Sequence, residues 1–419
     1  MINIFITEKT MSDNYQLLKR ISIRSTILES FLESKNDLSR HKLFITDKEW
    51  IIVGMNTTYD LIKKEIHDYH SDVFDIFTQL TPEEIFRLRT CPTTLFMFNF
   101  LWEGNSYLEY NFWELLTLSA LRNDIPREKI IFISSNLKEE IAYDQWQKKY
   151  YPNDRINVIS FNFFSSFTHR SSFYDNSSYI ITTIDDTVAN IKENQKYFLS
   201  LNRRKRHLRT YTIYKIFKSS IYNNTMMSYD KLYHGDLNIH KSEKSSGIDD
   251  SVFERLIESS PSVLDFSDFE RNWVDEFPNK LFNESMISLV SETLFQTFNE
   301  TSLFYSEKTF RPMMYYHPVL IFGQPELNIS LKHVGFKTYD KYFDLGFDVT
   351  KNHYERLDSQ IEHLENLNDK LSMMSISQRI DWLLQDRETL EYNREELKVN
   401  TFNKKKMSIL EDIVRSITE

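Results

Sequence analysis

Glycine is scarce in this chain: 419 residues contain seven, at positions 54, 104, 235, 247, 323, 335 and 346. No two lie close enough to write Gly-x-Gly-x-x-Gly or the loop of a P-loop NTPase, which excludes most dehydrogenases and NTPases. Any grip on phosphate must then come from side chains and helix N-termini. A single cysteine, Cys91, excludes an intramolecular disulfide framework and fits a reducing compartment. No apolar run approaches a bilayer span, the densest stretch around Thr94–Trp102 being strand-sized. The start, Met1-Ile2-Asn3-Ile4-Phe5, lacks the basic opening and small-residue cleavage site of a signal peptide. A soluble, cytoplasmic protein without a membrane span is the expectation. Gly-x-Ser-x-Gly is missing, as are His-x-x-x-His and Cys/His spacings, so neither a serine hydrolase elbow nor a zinc site is written here. Lys and Arg number 51 against 61 Asp and Glu, a formal charge of -10. A nucleic-acid partner would need a local basic patch, not a global field.

What the chain has is core material. Hydrophobic residues make up 41% and aromatics 15%, with 32 Phe and 23 Tyr, which excludes wholesale disorder. At 419 residues, two domains are expected. Residues 1–90 mix amphipathic stretches with charged connectors. From Thr94 the pattern sharpens: an apolar strand to Phe100, a loop at 102–105, and a helix carrying Tyr110, Trp113, Leu116 and Ala120. A strand at 129–136, a helix from Leu137 to Tyr150 and a strand at 156–160 follow. Strand and helix in alternation imply parallel pairing with crossover helices.

The polar stretch 168–196 reads as a connection. A second alternation opens with the strand 196–202, runs through a basic segment into a helix past Tyr214, and resumes with a strand at 286–293. A helix start at 306–312, a buried strand at 318–323, a helix at 326–333 and a strand at 336–339 complete it. Beyond that, Tyr354, Leu357, Ile361, Leu364, Leu367 and Leu371 make one apolar stripe of helical period, read as a helix packed on its own domain in preference to a dimer seam. The expected organisation is an N-terminal domain over 1–180 with its Rossmann-like core from about 94, a second Rossmann-like domain over 190–350, and a helical segment over 351–419.

Two clusters carry candidate chemistry. Arg203, Arg204, Lys205, Arg206 and Arg209 place five cations in seven residues directly after a strand. In an open parallel sheet ligands bind beyond the carboxyl ends of strands, and arginine's fork suits a diphosphate. The competing reading is a solvated basic helix face or a polynucleotide patch. The second cluster is Ser306-Glu307-Lys308-Thr309-Phe310-Arg311. There Glu307 can accept from ribose hydroxyls and Lys308 can neutralise phosphate charge, or the pair is an incidental helix start. Glu292, ending the 286–293 strand, falls on the same side. A general base for a hydroxyl acceptor would come from the N-terminal half, where Glu103 sits in a loop after a strand and Glu114 lies within a helix. Trp102, Tyr107 and Trp113 could stack on a ligand but read first as core, and His317 reads as structural.

Phe198-Leu199-Ser200-Leu201-Asn202-Arg203-Arg204, Ser288–Thr293, Ser306-Glu307-Lys308-Thr309-Phe310-Arg311-Pro312, His317–Gly323 and Gly335–Tyr339 together resemble the donor-binding half of fucosyltransferase-like and exostosin-like glycosyltransferases of bacterial or viral type. The resemblance covers about a fifth of the chain. It implies a GT-B-like α/β fold of two Rossmann-like domains facing a cleft, with an inverting, metal-independent transfer. Donor contacts would come from Arg203, Arg204, Arg206 or Arg209, from Glu292, Glu307 and Lys308, and from Arg311. No metal and no cofactor beyond a nucleotide diphosphate sugar substrate is implied, in keeping with the lack of any Asp-x-Asp triplet. The Thr309-Phe310-Arg311-Pro312 stretch departs from the fucosyltransferase pattern, so GDP-fucose is not implied. The acceptor would be a glycan or a hydroxymethylated DNA base, the latter disfavoured by net acidity. A non-catalytic binding or assembly protein on the same fold is the alternative.

Overall fold

The computed structural model describes residues 49–54, 77, 80–92, 94–100, 104, 112–165, 183–192, 195–202, 207–229, 279–294 and 301–418. They fall into two compact units. One takes the described residues up to Phe163, residues 301–303 and the chain from Asn403; the other takes 164–294 and Phe304–Phe402. Both are mixed α/β, and each is built on a four-stranded sheet in which every pairing is parallel.

In the first unit β1 (Glu49–Gly54), β2 (Thr94–Phe100), β3 (Ile130–Ser134) and β4 (Asn157–Ser160) lie side by side in chain order. Every side chain of β3 is buried, as expected for a parallel strand covered on both faces. The core is aromatic. Phe96 and Phe98 of β2, Phe132 of β3 and Phe112 and Trp113 of the helix α2 (Phe112–Arg122) meet largely edge to face, at 4.6 Å for Phe96–Phe98 and for Trp113–Phe132. Ahead of it, α1 (Pro82–Thr90) starts on a Thr81–Glu84 capping box with Pro82 in its first turn. It ends on the buried Lys129, whose Nζ donates to the carbonyls of Leu88 (2.7 Å) and Cys91 (2.8 Å).

The second sheet is ordered differently. β5 (Phe198–Asn202), β6 (Thr225–Tyr229), β7 (Ile287–Ser291) and β8 (Val319–Phe322) run β6-β5-β7-β8. The chain thus moves from β5 to one side and then returns to build on the other. β8 is an edge strand, and its free side is occupied by a side chain. Asn328 Oδ1 accepts from Ile321 N (2.8 Å) and its Nδ2 donates to Ile321 O (2.9 Å), mimicking a neighbouring strand. The apolar stripe foreseen at 354–371 lies on α9 (His353–Met373), with Leu357, Ile361, Leu364, Leu367 and Leu371 buried. Three more helices follow, α10 (Ile376–Leu384), α11 (Arg387–Val399) and α12 (Thr401–Thr418).

The structure departs from the sequence reading in three places. β1 precedes the strand taken as the first, and β6 fills a stretch that carried no strand expectation. The strand expected at 336–339 does not form. Gly335 turns left-handed (φ 94°) and the backbone of Lys337 pairs with the carboxamide of Asn393 instead, N to Oδ1 at 2.7 Å and O to Nδ2 at 3.0 Å. A side chain has taken the hydrogen bonds that a neighbouring strand would have made.

Candidate functional site

The strand order of the second sheet reverses between β5 and β7, and a crevice outside the carboxyl ends of the strands is where such sheets bind ligands. The ladder between these two strands is short, limited to Phe198↔Ile287 and Leu199↔Ser288, whereas β5 and β6 pair over five positions. Past the last rung both strands end on a polar residue, Asn202 on β5 and Ser291 on β7, with Ser200 two residues earlier on β5.

Asn202 is 1% exposed. Its backbone N–H donates to Ser228 Oγ (3.1 Å) and its Nδ2 to Ser200 Oγ (2.9 Å). Its Oδ1 has no hydrogen-bond partner among the described residues, and neither does Oγ of Ser291, itself 2% exposed. Buried polar atoms are nearly always partnered, so two unsatisfied ones at a strand switch need an explanation. Arg209, in the first turn of α5 (His207–Lys218), is buried beside them, and its Nη2 reaches the carbonyl of Ser291 at 3.5 Å.

One residue further, Glu292 anchors the second cluster. Its Oε1 accepts from Ser306 N (2.9 Å) and Thr309 Oγ1 (2.6 Å), and its Oε2 accepts from Thr293 N (3.0 Å). The buried carboxylate therefore ties the end of β7 to the start of α7 (Glu307–Phe310). Ser306 caps that short helix, its Oγ accepting from the N–H and the ammonium of Lys308 (3.4 and 3.1 Å). The same ammonium lies 2.8 Å from Glu307 Oε1. Burial alone would raise the Glu307 carboxyl, but Lys308 and Arg311 outweigh it and hold it below its ordinary range, so it is ionised at neutral pH. Lys308 keeps about a third of its side chain exposed, at 31%. The cluster is thus an acidic-basic pair whose cation is held by Ser306 and Glu307.

His317 lies just before β8, near the amino ends of β7 and β8. Its Nε2 is 2.8 Å from the carbonyl of Phe282 and its Nδ1 3.0 Å from Ser288 Oγ. A carbonyl only accepts, so Nε2 carries the proton and Nδ1 accepts from the serine. Burial pushes the ring down to about 4, with the Phe282 carbonyl opposing, and the imidazole is neutral and structural.

Arg209 therefore meets the last residue of β7, and Glu292, one residue on, ties that end to the short helix that carries Glu307 and Lys308, with Arg311 at its C-terminus. Glu103, Arg203, Arg204 and Arg206 lie outside the described residues, as do Trp102 and Tyr107. Trp113 is core, its indole N–H donating to the buried Glu139 at 3.1 Å, and Glu114 stays on an exposed helix face. Asn202 and Ser291 were not named as site residues by the sequence reading. The available signal was their place as the last, polar residue of mostly apolar strands. Among the described residues no group of three or more His, Cys, Asp or Glu could hold a metal, and no helix is long and apolar enough to cross a membrane.

No family model matches the chain, and no curated protein does. Two solved structures align with it. One, described as OtsA in its apo form, covers 88% of this chain and 73% of its own at 10% identity and a TM-score of 0.39. The other, a UDP-forming α,α-trehalose-phosphate synthase from Burkholderia vietnamiensis, covers 84% and 80% at 10% identity and a TM-score of 0.38. Likeness of that degree transfers neither fold nor activity; the two parallel sheets stand on their own hydrogen bonds.

Proposed function

We propose that this chain is a glycosyltransferase that moves a sugar from a nucleotide diphosphate sugar to an acceptor hydroxyl, with its donor site at the β5–β7 switch point. The observation that carries the reading is a pair of buried unsatisfied oxygens at the carboxyl ends of parallel strands, with Arg209 on the Ser291 carbonyl and the next residue, Glu292, anchoring the start of the helix that carries Glu307 and Lys308. A diphosphate leaving group develops negative charge as its bond to the anomeric carbon breaks, and preorganised cations stabilise that charge. Arg209 and Lys308 supply them. Glu307 accepts from the ribose hydroxyls, and Glu292 holds the helix start that presents both. The acceptor oxygen forms the new bond to the anomeric carbon, the nucleoside diphosphate departs, and the acceptor proton passes to a carboxylate base, for which Glu103 is the candidate. In this reading the transfer inverts the anomeric centre and needs no divalent ion. Whether the acceptor is a saccharide or a hydroxymethylated DNA base is decided by salt, since only a polyanionic acceptor gives steep salt dependence.

A thermal-shift panel of UDP-, GDP- and dTDP-sugars and CMP-linked sugar tests the reading. One diphosphate nucleotide sugar should raise the melting temperature. Lys308→Ala should abolish that shift and any turnover with it. Silence across the panel, or a Lys308→Ala protein that binds and turns over normally, would overturn the assignment.

A further inference from the structure

The register of the short β5–β7 ladder has a consequence at its open end. Phe198 pairs with Ile287, and Leu199 with Ser288, at a constant offset of 89. Asn202 and Ser291 stand at the same offset, three positions past the last pair, and their parity with Phe198 and Ile287 puts their side chains on one face of the sheet. Both residues carry a buried, unpartnered oxygen, Asn202 Oδ1 and Ser291 Oγ. The other end of the Asn202 carboxamide is committed to Ser200 Oγ, so what remains is an acceptor. The carbonyl of Ser291 is taken by Arg209, so what remains there is a hydroxyl able to give or take a proton.

An acceptor together with a hydroxyl does not suit a phosphate oxygen, which has no hydrogen to give to Asn202. It suits a group that donates on one side and accepts on the other. Resting on the donor-site reading above, we infer that Asn202 and Ser291 form a notch that selects the nucleotide sugar by one of its neutral hydroxyls, beside the cationic subsite and distinct from it. The hydroxyl donates to Asn202 Oδ1 and accepts from Ser291 Oγ. Two parts of the donor carry such groups, the transferred sugar and the ribose.

Ser291→Ala is the decisive variant, because the structure gives its Oγ no internal bond to lose. Unliganded, the variant should melt at or above the wild-type temperature, since an unsatisfied buried hydroxyl has been removed. Affinities are then measured by calorimetry for UDP-glucose, GDP-mannose and dTDP-glucose, for the matching free diphosphates, and for their 2′-deoxy forms where the parent carries a ribose 2′-hydroxyl. A loss of about three- to tenfold on the sugar nucleotide, with the free diphosphate unaffected, places the hydroxyl on the sugar. A similar loss on both that vanishes with the deoxy nucleotide places it on the ribose. Asn202→Asp, which keeps the acceptor, should retain the preference for the hydroxylated ligand. Wild-type affinities for every ligand in Ser291→Ala, or a variant that is destabilised when unliganded, would overturn the notch. A wild-type protein that binds none of the panel would instead overturn the donor-site reading itself.

Discussion

Replacing Glu292 with glutamine tests whether a single buried carboxylate holds the candidate site together. The side chain is 1% exposed and accepts from Ser306 N, Thr309 Oγ1 and Thr293 N. Glutamine keeps the shape but offers one acceptor oxygen. With that oxygen towards Ser306 and Thr309, the new amide nitrogen meets the Thr293 N–H, donor against donor. Turned the other way, two acceptances are lost instead of one. A hydrogen bond to a charged group contributes ~1.5–3 kcal/mol and a buried group left unsatisfied costs ~1–3 kcal/mol, so even the better orientation should destabilise by about 2–4 kcal/mol. Urea unfolding should show a lower midpoint at an unchanged slope. Hydrogen exchange followed on peptides spanning 288–310 should show faster exchange at Thr293 and Ser306. Thr309→Val removes one donor to the same carboxylate, and the double variant should cost less than the sum of the two. A Glu292→Gln protein with the wild-type midpoint and unchanged exchange at both amides would refute the anchoring role.

His317 predicts an acid-labile fold. Its neutral ring is pushed down to about 4 by burial, while the unfolded chain takes the proton near the ordinary value of 6.5. Its contribution is therefore complete above 6.5 and is lost as pH falls towards 4, up to ~3 kcal/mol at 1.36 kcal/mol per unit. The fall in urea midpoint between pH 7 and 4.5 should be shallower in His317→Gln, and an identical slope would contradict the assignment. Asn328→Leu removes both bonds to Ile321 and the one to Asp348 Oδ1, while Gln360 Nε2 still donates to Ile321 O. It should lower stability by ~2–3 kcal/mol in urea unfolding, and an equally stable variant would show that the clamp contributes nothing. Asn393→Asp keeps the acceptor for Lys337 N but loses the donor to Lys337 O, and a melting temperature equal to wild type would argue against that latch.

Periodicity made much of the architecture readable. The strands at 94–100, 130–134, 157–160, 198–202, 287–291 and 319–322 are dense apolar runs bounded by turn residues, and the α9 stripe repeats at helical spacing. β6 escaped because its sequence, Thr-Met-Met-Ser-Tyr, follows a helix and a tight turn with no run of branched residues to mark it. The false strand at 336–339 had the right composition, yet its pairing surface was taken by Asn393, a contact 56 residues away that no local pattern encodes. In the candidate site, charge drew attention to Arg209, Glu307 and Lys308. Charge could not separate Glu292, which is consumed by three internal bonds, from a carboxylate free to meet a ligand. The neutral pair Asn202 and Ser291 gave no charge signal at all.

Those neutral residues gain meaning from how the chain uses asparagine elsewhere. Asn136 bridges Thr301 O and Leu303 N, Asn328 clamps Ile321, Asn393 clamps Lys337, and Asn403 clamps Asn162. In each case both ends of a buried carboxamide satisfy backbone groups. With seven glycines in 419 residues, the irregular chain among the described residues is held at these points by side-chain latches. Asn202 is buried as deeply, yet one end of its carboxamide is left over, and the last hydroxyl of β7 is also unsatisfied. A latch contributes its full value to the unliganded fold; an unfinished latch withholds part of it until something binds. Truncating the two kinds should therefore give opposite rankings. Asn393→Ala should lower the melting temperature of the unliganded protein more than Asn202→Ala does, and Asn202→Ala should lose the larger share of ligand-induced stabilisation. If the order is the same in both measurements, Asn202 is one more structural asparagine and the β5–β7 crevice has no claim to be a binding site through it.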